Sequence, residues 1–175
     1  LLREARITAA LAGPGVVPVL DGGTDEEGRA WFAMPALDGQ SLHALRRSGT
    51  PPAALLRHLV DAARVVARAH EAGIVHRDLK PDNLLLAHVD VAEERVHVMD
   101  WGIARPESAS SEWDAVLSAP ELTALGQVLG TPATMSPEQV IGEAVGRRSD
   151  VWALGVCLVE LATGESPFQR DAPTE

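Results

Sequence analysis

The sequence predicts an α+β fold in which a few short strands precede a mainly helical region. The runs VVPVLDGG and AWFAMPAL flank the polar turn TDEEGR, a pattern typical of two strands joined by a turn. The segment TPPAALLRHLVDAARVVARAHEAG repeats its apolar residues at a helical period, which predicts a long amphipathic helix. A later segment, SDVWALGVCLVELATG, is apolar on nearly every side, and this predicts a buried helix.

The remaining elements follow in order between these landmarks. LLREARITAAL, residues 1–11, has an apolar helical face with Glu4 at its side, and the following GPG ends the helix. In the long helix, Thr50 is the expected cap, Pro51 the first helical residue and the glycine of EAG the end. LLLA and RVHVMD predict a small hairpin, and residues 103–135, which lack a sustained period, are expected to be loop. The expected core face of the long helix comprises residues 55, 56, 59, 60, 63, 66 and 67.

Length and composition restrict the class of protein. The chain has 175 residues, enough for one domain, and its net charge of -10 argues against a general affinity for nucleic acid or anionic membranes. A single cysteine, Cys157, excludes an internal disulfide and a cysteine-based zinc site, so we expect a cytoplasmic protein. The longest apolar stretch is too short to span a bilayer. The absence of an initiator Met suggests a piece of a longer chain.

The stretch HRDLKPDNLLL, residues 76–86, joins charged and amide side chains directly to a run of leucines. This mixture predicts a polar loop at the mouth of an apolar core, where chemistry is commonly performed. Phosphoryl transfer needs a carboxylate to orient the attacking hydroxyl, a cation near the phosphates and oxygen ligands for magnesium. Asp78, Lys80 and Asn83 can supply these groups. Asp100, which follows the predicted strand RVHVMD, can supply a second metal ligand.

Four motifs resemble those of eukaryotic-like serine/threonine protein kinases of the bacterial type. Residues 76–83 resemble the catalytic loop of this family at every defining position, and DWG at 100–102 resembles its D-F-G motif. SPE at 136–138 resembles the A-P-E motif, and SDVWALG resembles the start of the buried central helix. The order and spacing of all four agree with the family over essentially the whole chain.

The resemblance implies a truncated catalytic domain with a protein-kinase-like fold. Residues 1–37 would be the remainder of the N-lobe, comprising the C-helix, two or three strands and the hinge. Residues 38–175 would be an incomplete, mainly helical C-lobe that stops after the central helix. The family's glycine-rich loop and strand lysine are not found in the sequence, so the fragment alone is expected to be inactive. Glu4 would pair with that lysine, unless it is an ordinary solvated helix acid.

The same resemblance implies how ATP and metal are bound. FAMPAL resembles the linker between the lobes, with Met34 as the gatekeeper and the backbones of Pro35 and Leu37 against adenine. Leu85 would form part of the apolar floor under the base. The implied cofactors are ATP and Mg²⁺, with Mn²⁺ as an alternative. The metal ion would be bound by the Asn83 amide and the Asp100 carboxylate.

Several other positions are implied to support the site. His76 would be a packed structural residue rather than a base or a ligand. Trp101 replaces the usual Phe of the D-F-G motif, and Gly102 completes that motif. Asp150, at the start of the apolar helix, would accept backbone N–H bonds near His76 and Arg77.

The segment that precedes the SPE motif indicates which class of substrate and which partners the resemblance implies. Together with Lys80, GTPATMSPE follows the serine/threonine version of the family, and Glu138 would belong to its anchor. Thr131 would bond to Asp78 and Lys80 and shape the site for a Ser or Thr hydroxyl. The expected partners are ATP and a protein substrate with Ser or Thr, with no nucleic acid and no membrane contact within this chain.

A regulatory phosphorylation is also expected in this segment. Family members with Arg at the position of Arg77 use it to bind a phosphorylated activation segment. Thr123 is the best candidate for the modified residue, and Ser118 is the alternative. The simpler interpretation is that Thr123 caps a short helix at ELTALG.

Two other classes compete with a protein kinase. The first is a pseudokinase-like binding module, which would be expected to lack Asp78, Asn83 or Asp100, although all three are present. The second is a small-molecule phosphotransferase of the same broad fold, a class that generally lacks an activation segment with a Pro-Glu anchor.

Overall fold

The fold is that of a computed structural model and is described for residues 7–11, 13–88, 93–101, 105–106 and 132–168. Residues 7–10 are helical, which agrees with the helix predicted there. No helix within these ranges is both long and apolar enough to cross a membrane.

The first predicted strand pair is present as a hairpin, but its strands leave out residues 16–20 and 34–37, which were expected to belong to them. Strand β1 (Asp21–Thr24) pairs antiparallel with β2 (Ala30–Ala33). The turn between them is closed by the carboxylate of Asp25, which accepts the backbone N–H of Arg29 at 2.8 Å and its Nε at 2.7 Å. These strands form a sheet of their own.

A second antiparallel sheet supports the polar loop. Its strands are β3 (Gly39–Ser41), β5 (Leu84–His88) and β6 (Glu94–Val98), with β5 in the centre. The pair β5–β6 is the hairpin predicted from LLLA and RVHVMD. The loop predicted over residues 103–135 needs correction, because it contains a short strand, β7 (Arg105–Pro106). This strand pairs antiparallel with β4 (Ile74–Val75). Two-residue strands are too short to show an alternating pattern in sequence.

The long helix is present, but its start and its core face differ from the prediction. Helix α1 (Leu42–Arg47) begins after Ser41, whose hydroxyl accepts the Ala44 N–H at 3.1 Å. Helix α2 (Pro52–Glu71) has Pro51, not Thr50, at its cap position and no side-chain cap bond. Because α2 thus begins at Pro52, Pro51 is not its first helical residue. Its buried residues are Leu55, Leu59, Ala62, Val65, Val66 and Ala69.

Four residues expected on the core face of α2 are not fully buried. Val60 is 52% exposed and Ala67 is also exposed, while Leu56 and Ala63 are partly exposed. The expected set followed the apolar residues of the sequence, but the burial follows the sheet and the last helix, against which α2 packs. The residue after α2, Ala72, leads to Gly73, which has φ of 74° and ends the helix as predicted.

The last helix is buried on one side only. Helix α3 (Pro137–Val140) precedes α4 (Arg147–Thr163), which packs against α2 through Ala153, Cys157 and Leu161. The prediction of a fully buried helix is therefore wrong for the described part of the chain. Val151 is 62% exposed and Leu158 is 49% exposed, because the described elements cover only the opposite side.

Candidate active site

The polar loop lies between β4 and β5 and is anchored by side chains that point into the core. His76 and Leu79 are fully buried, as is Pro81 in the 3-10 turn Pro81–Asn83. These anchors alternate with charged residues, so the chain is held from below while Asp78 and Lys80 are presented together. The sequence mixture of charges and leucines thus corresponds to a loop with a packed underside.

Three predicted site residues form one hydrogen-bonded cluster. Lys80 Nζ donates to Asp78 Oδ2 at 3.0 Å, and Asn83 Nδ2 donates to the backbone oxygen of Asp78 at 2.9 Å. Asp78 is only 5% exposed, so its carboxylate is held in a restricted position. Because the nitrogen of the Asn83 amide is directed at Asp78, its oxygen is the atom left to act as a metal ligand.

Asp100 is connected to this cluster through the backbone. Met99, its neighbour, donates its N–H to the Asn83 backbone oxygen at 2.8 Å. Asp100 itself is exposed and has φ of 61°, a left-handed conformation that is uncommon outside glycine. Asn83 directly precedes β5 and Asp100 comes shortly after β6, so the two predicted metal ligands lie at the same end of one antiparallel hairpin. An amide oxygen and a carboxylate are a donor pair that suits Mg²⁺, although the described residues contain no cluster of three or more His, Cys, Asp or Glu that could bind a metal.

His76 is held as a neutral ring inside the loop. Its Nε2 donates to the Met99 backbone oxygen at 3.0 Å, and its Nδ1 accepts the backbone N–H of Asp78 at 3.3 Å. Burial lowers the pKa of His76, which favours this neutral form over the attraction of the nearby acids. The ring also packs against Trp101, with 4.6 Å between centroids. Both ring nitrogens of His76 are therefore hydrogen-bonded to backbone atoms around the site.

Trp101 fixes the residue that precedes it. Its side chain is 2% exposed, and its indole Nε1 donates to the Val98 backbone oxygen at 2.9 Å. This bond closes the turn at Asp100, and it is available to Trp but not to the Phe that the resemblance leads one to expect.

Asp150 holds the backbone of the loop, as predicted. Its Oδ1 accepts the N–H of Arg77 at 2.8 Å and its Oδ2 accepts the N–H of His76 at 2.9 Å. A third bond, from His70 Nε2 to Oδ2 at 2.7 Å, was not predicted, because a histidine near the end of a helix gives no sequence signal of a partner 80 residues away. Arg77 has φ of 74°, so Asp150 supports a backbone conformation that costs free energy.

The SPE motif is packed close to this loop. The carboxylate of Glu138 accepts a hydrogen bond from the Ser149 hydroxyl at 2.5 Å, which lowers the pKa of Glu138. Gln139 Nε2 donates to the Arg77 backbone oxygen at 2.8 Å, a contact that sequence reasoning missed. The guanidinium of Arg77 lies near the Val145 backbone oxygen, at 3.5 Å.

The residues predicted to bind the nucleotide lie on strand β5 and in the segment that joins β2 to β3. Met34, Pro35 and Leu37 occupy the segment without regular secondary structure between β2 and β3. This segment leads into β3, where Ser41 is the Cα partner of Leu85, the predicted floor residue on the neighbouring strand β5. Four predicted site residues, Glu4, Gly102, Thr123 and Thr131, lie outside the described residues.

The comparison with known families agrees with this arrangement. The family model described as "Protein kinase domain" matches residues 1–175, and the chain therefore belongs to the protein kinase family. The fold class predicted from the sequence is thus confirmed.

Individual relatives of the chain are named as serine/threonine-protein kinases. Serine/threonine-protein kinase pkn3 of Myxococcus xanthus is 37% identical over 172 residues, which cover 97% of this chain and 30% of the relative. The DNA damage-responsive serine/threonine-protein kinase RqkA of Deinococcus radiodurans is 43% identical over 175 residues, which cover 98% and 24% respectively. Serine/threonine-protein kinase PknB of Mycobacterium leprae is 36% identical over 176 residues, or 98% and 26%. The chain therefore spans about a quarter to a third of the length of these curated relatives.

Proposed function

We propose that the protein containing this chain is a serine/threonine protein kinase. It would transfer the γ-phosphoryl group of ATP to a Ser or Thr hydroxyl of a protein substrate. The observation that supports this most strongly is the cluster of Asp78, Lys80 and Asn83, tied to Asp100 by the Met99–Asn83 backbone bond. These are the groups that phosphoryl transfer requires, gathered at the end of one hairpin.

Each member of the cluster has a distinct role in the proposed reaction. The substrate hydroxyl oxygen forms a bond to the γ-phosphorus while the bond to the ADP oxygen breaks, and Asp78 orients the hydroxyl and accepts its proton. Lys80, held 3.0 Å from Asp78, places positive charge beside the transferred group. Its position also keeps the Asp78 carboxylate oriented, since one oxygen is already fixed.

The proposed metal ligands are the Asn83 amide oxygen and the Asp100 carboxylate. Bound Mg²⁺, or Mn²⁺ in its place, would neutralise charge that develops on the phosphates. The left-handed conformation of Asp100 and the Trp101 bond to Val98 fix where that carboxylate is presented. Adenine would lie between Leu85 and the segment of Met34, Pro35 and Leu37.

The proposed lobe boundary follows the hinge. Residues 1–37 are assigned to the N-lobe and residues 38–175 to the C-lobe, and in support the β1–β2 hairpin forms a sheet separate from β3–β5–β6. Glu4 would pair with the strand lysine of the full-length protein. A reducing cytoplasm is part of the proposal, because the one cysteine, Cys157, is buried and free.

Substrate and regulation are proposed from the segment that ends at the SPE motif. Thr131 would contact Asp78 and Lys80 and favour a Ser or Thr acceptor. Arg77 would bind a phosphate on Thr123, or on Ser118, and so order the segment. The contact between Gln139 and the Arg77 backbone supports a protein kinase over a small-molecule phosphotransferase, because the anchor reaches the catalytic loop. Retention of Asp78, Asn83 and Asp100 supports an active enzyme over a pseudokinase.

The experiment that tests this proposal measures phosphate transfer from ATP to Ser-, Thr- and Tyr-containing peptides by the full-length protein. We expect transfer to Ser or Thr in Mg²⁺ or Mn²⁺ and none after chelation. Asp100→Asn should lower kcat about a hundredfold or more, whereas Asp61→Asn, a matched change at an exposed carboxylate on α2, should leave it unchanged. Transfer that persists in Asp100→Asn, or that requires no metal, would overturn the assignment.

A further inference from the structure

Arg77, the residue directly before Asp78, has both of its backbone polar groups held by side chains that are distant in sequence. Its N–H is accepted by Asp150 Oδ1 at 2.8 Å. Its carbonyl oxygen accepts Gln139 Nε2 at 2.8 Å, across 62 residues of chain. Since Arg77 has φ of 74°, a conformation that is unfavourable for a residue with Cβ, these two bonds stabilise a backbone that would otherwise relax. The direction in which Asp78 leaves this backbone depends on both.

The other end of the Gln139 amide is fixed by its own helix. Gln139 Oε1 accepts the backbone N–H of Ser136 at 3.0 Å and the Ser136 hydroxyl at 3.1 Å. Ser136 is the N-cap of α3 and is fully buried, and Gln139 is at the third helical position, as in a capping box. The two bonds to Oε1 leave Nε2 as the atom that faces Arg77. A single amide therefore joins the start of α3 to the catalytic loop.

We propose that Gln139 is a positioning residue for the proposed phosphoryl transfer, one that acts on Asp78 through the Arg77 carbonyl. The inference rests on the proposed function and adds to it a link by which the anchored end of the segment before α3 controls the catalytic loop. When the start of α3 is in place, Arg77 is held on both sides and Asp78 is directed toward the acceptor hydroxyl. When α3 shifts, the Arg77 carbonyl loses its donor and the peptide before Asp78 can rotate.

The substitution Gln139→Glu separates this role from helix capping. A glutamate at this position retains an oxygen for the Ser136 N–H, so the cap is preserved. It replaces the Nε2 donor by an oxygen that repels the Arg77 carbonyl. We expect kcat to fall roughly tenfold to a hundredfold, as for a misplaced reacting group, with KM for ATP changed less than about twofold. The melting temperature should stay close to that of the wild type.

The pH profile of Gln139→Glu supplies a second readout. A protonated carboxyl group can donate to the Arg77 carbonyl, so lowering the pH from 8 to about 5.5 should restore activity relative to the wild type. Val140→Glu adds the same charge at a neighbouring position that is 67% exposed, and its activity ratio to the wild type should not depend on pH. A capping role alone predicts no such rescue.

The assay uses the full-length protein with ATP, Mg²⁺ and a Ser/Thr peptide. Reduced kcat in Gln139→Glu with relative recovery at low pH supports the inference. Wild-type kcat in that variant, or a loss that matches Val140→Glu at every pH, overturns it. If Gln139→Glu does not fold, Gln139→Met, similar in length but without a donor, replaces it, and unchanged kcat there also overturns the inference. Failure of the wild-type protein to transfer phosphate would instead overturn the proposed function.

Discussion

Replacing Asp150 with asparagine should loosen the catalytic loop by an amount that can be derived from its contacts. The carboxylate accepts three hydrogen bonds, from the backbone of His76 and Arg77 and from His70, and the side chain is fully buried. In Asp150→Asn one of the two carboxylate oxygens is replaced by an amide NH2 group, which cannot accept a hydrogen bond. At least one bond to a charged acceptor is lost, at a cost of about 1.5–3 kcal/mol. Arg77 has a left-handed backbone conformation, which is unfavourable for a residue with Cβ, so its own backbone preference does not compensate for the lost hydrogen bond.

Amide hydrogen exchange measures this loosening where it occurs. A local cost of that size corresponds to exchange roughly tenfold to a hundredfold faster for the N–H groups of His76 and Arg77. Peptides from α2 near Leu59 should change less, and Asp61→Asn, at an exposed position, should have little effect anywhere. Unchanged protection at residues 76 and 77 in Asp150→Asn would refute the claim that this carboxylate holds the loop.

Three further predictions concern other parts of the chain. Burial and nearby Glu160 raise the pKa of Cys157 to about 12 from 9.0, so folded protein at pH 8 should react with iodoacetamide roughly a thousandfold more slowly than unfolded protein; equal rates would contradict this. Burial lowers the pKa of His76 below 6.5, so the unfolded state binds more protons as the pH falls through 6.5. The free energy of unfolding should therefore have its full value above that pH and decrease as the pH falls below it. In urea melts at a series of pH values, His76→Gln should show a smaller decrease than the wild type. Finally, Thr123→Ala should lower kcat, and mass spectrometry should find phosphate on Thr123 in active protein; an unmodified Thr123 in fully active enzyme would end that proposal.

The sequence was sufficient for the parts of the fold that repeat a local pattern. The two hairpins and the long helix α2 combine periodic apolar residues with strong turn signals, and all three are present. The cluster of Asp78, Lys80 and Asn83 was also predictable, because its members lie within six residues on one loop. Residues this close in sequence on one loop are also close in space.

Features that depend on distant partners were not predictable in the same way. The start of α2 at Pro52 was missed because two prolines in succession both suit a helix start. The exposed side of α4 was missed because apolar composition does not specify which neighbours are present. The bonds from His70 to Asp150 and from Gln139 to Arg77 join residues 80 and 62 positions apart, and one chain without its fold gives no signal of either.

The most direct test of the account is the activity of Asp78→Asn in the full-length protein. Single-turnover transfer of the γ-phosphoryl group to a Ser/Thr peptide should be slowed about a hundredfold or more, because the isostere cannot accept the hydroxyl proton. ATP binding should change little, since Lys80, Asn83 and Asp100 remain. Asp61→Asn should behave as the wild type. Near-normal transfer by Asp78→Asn would contradict the central claim that this carboxylate orients and deprotonates the acceptor.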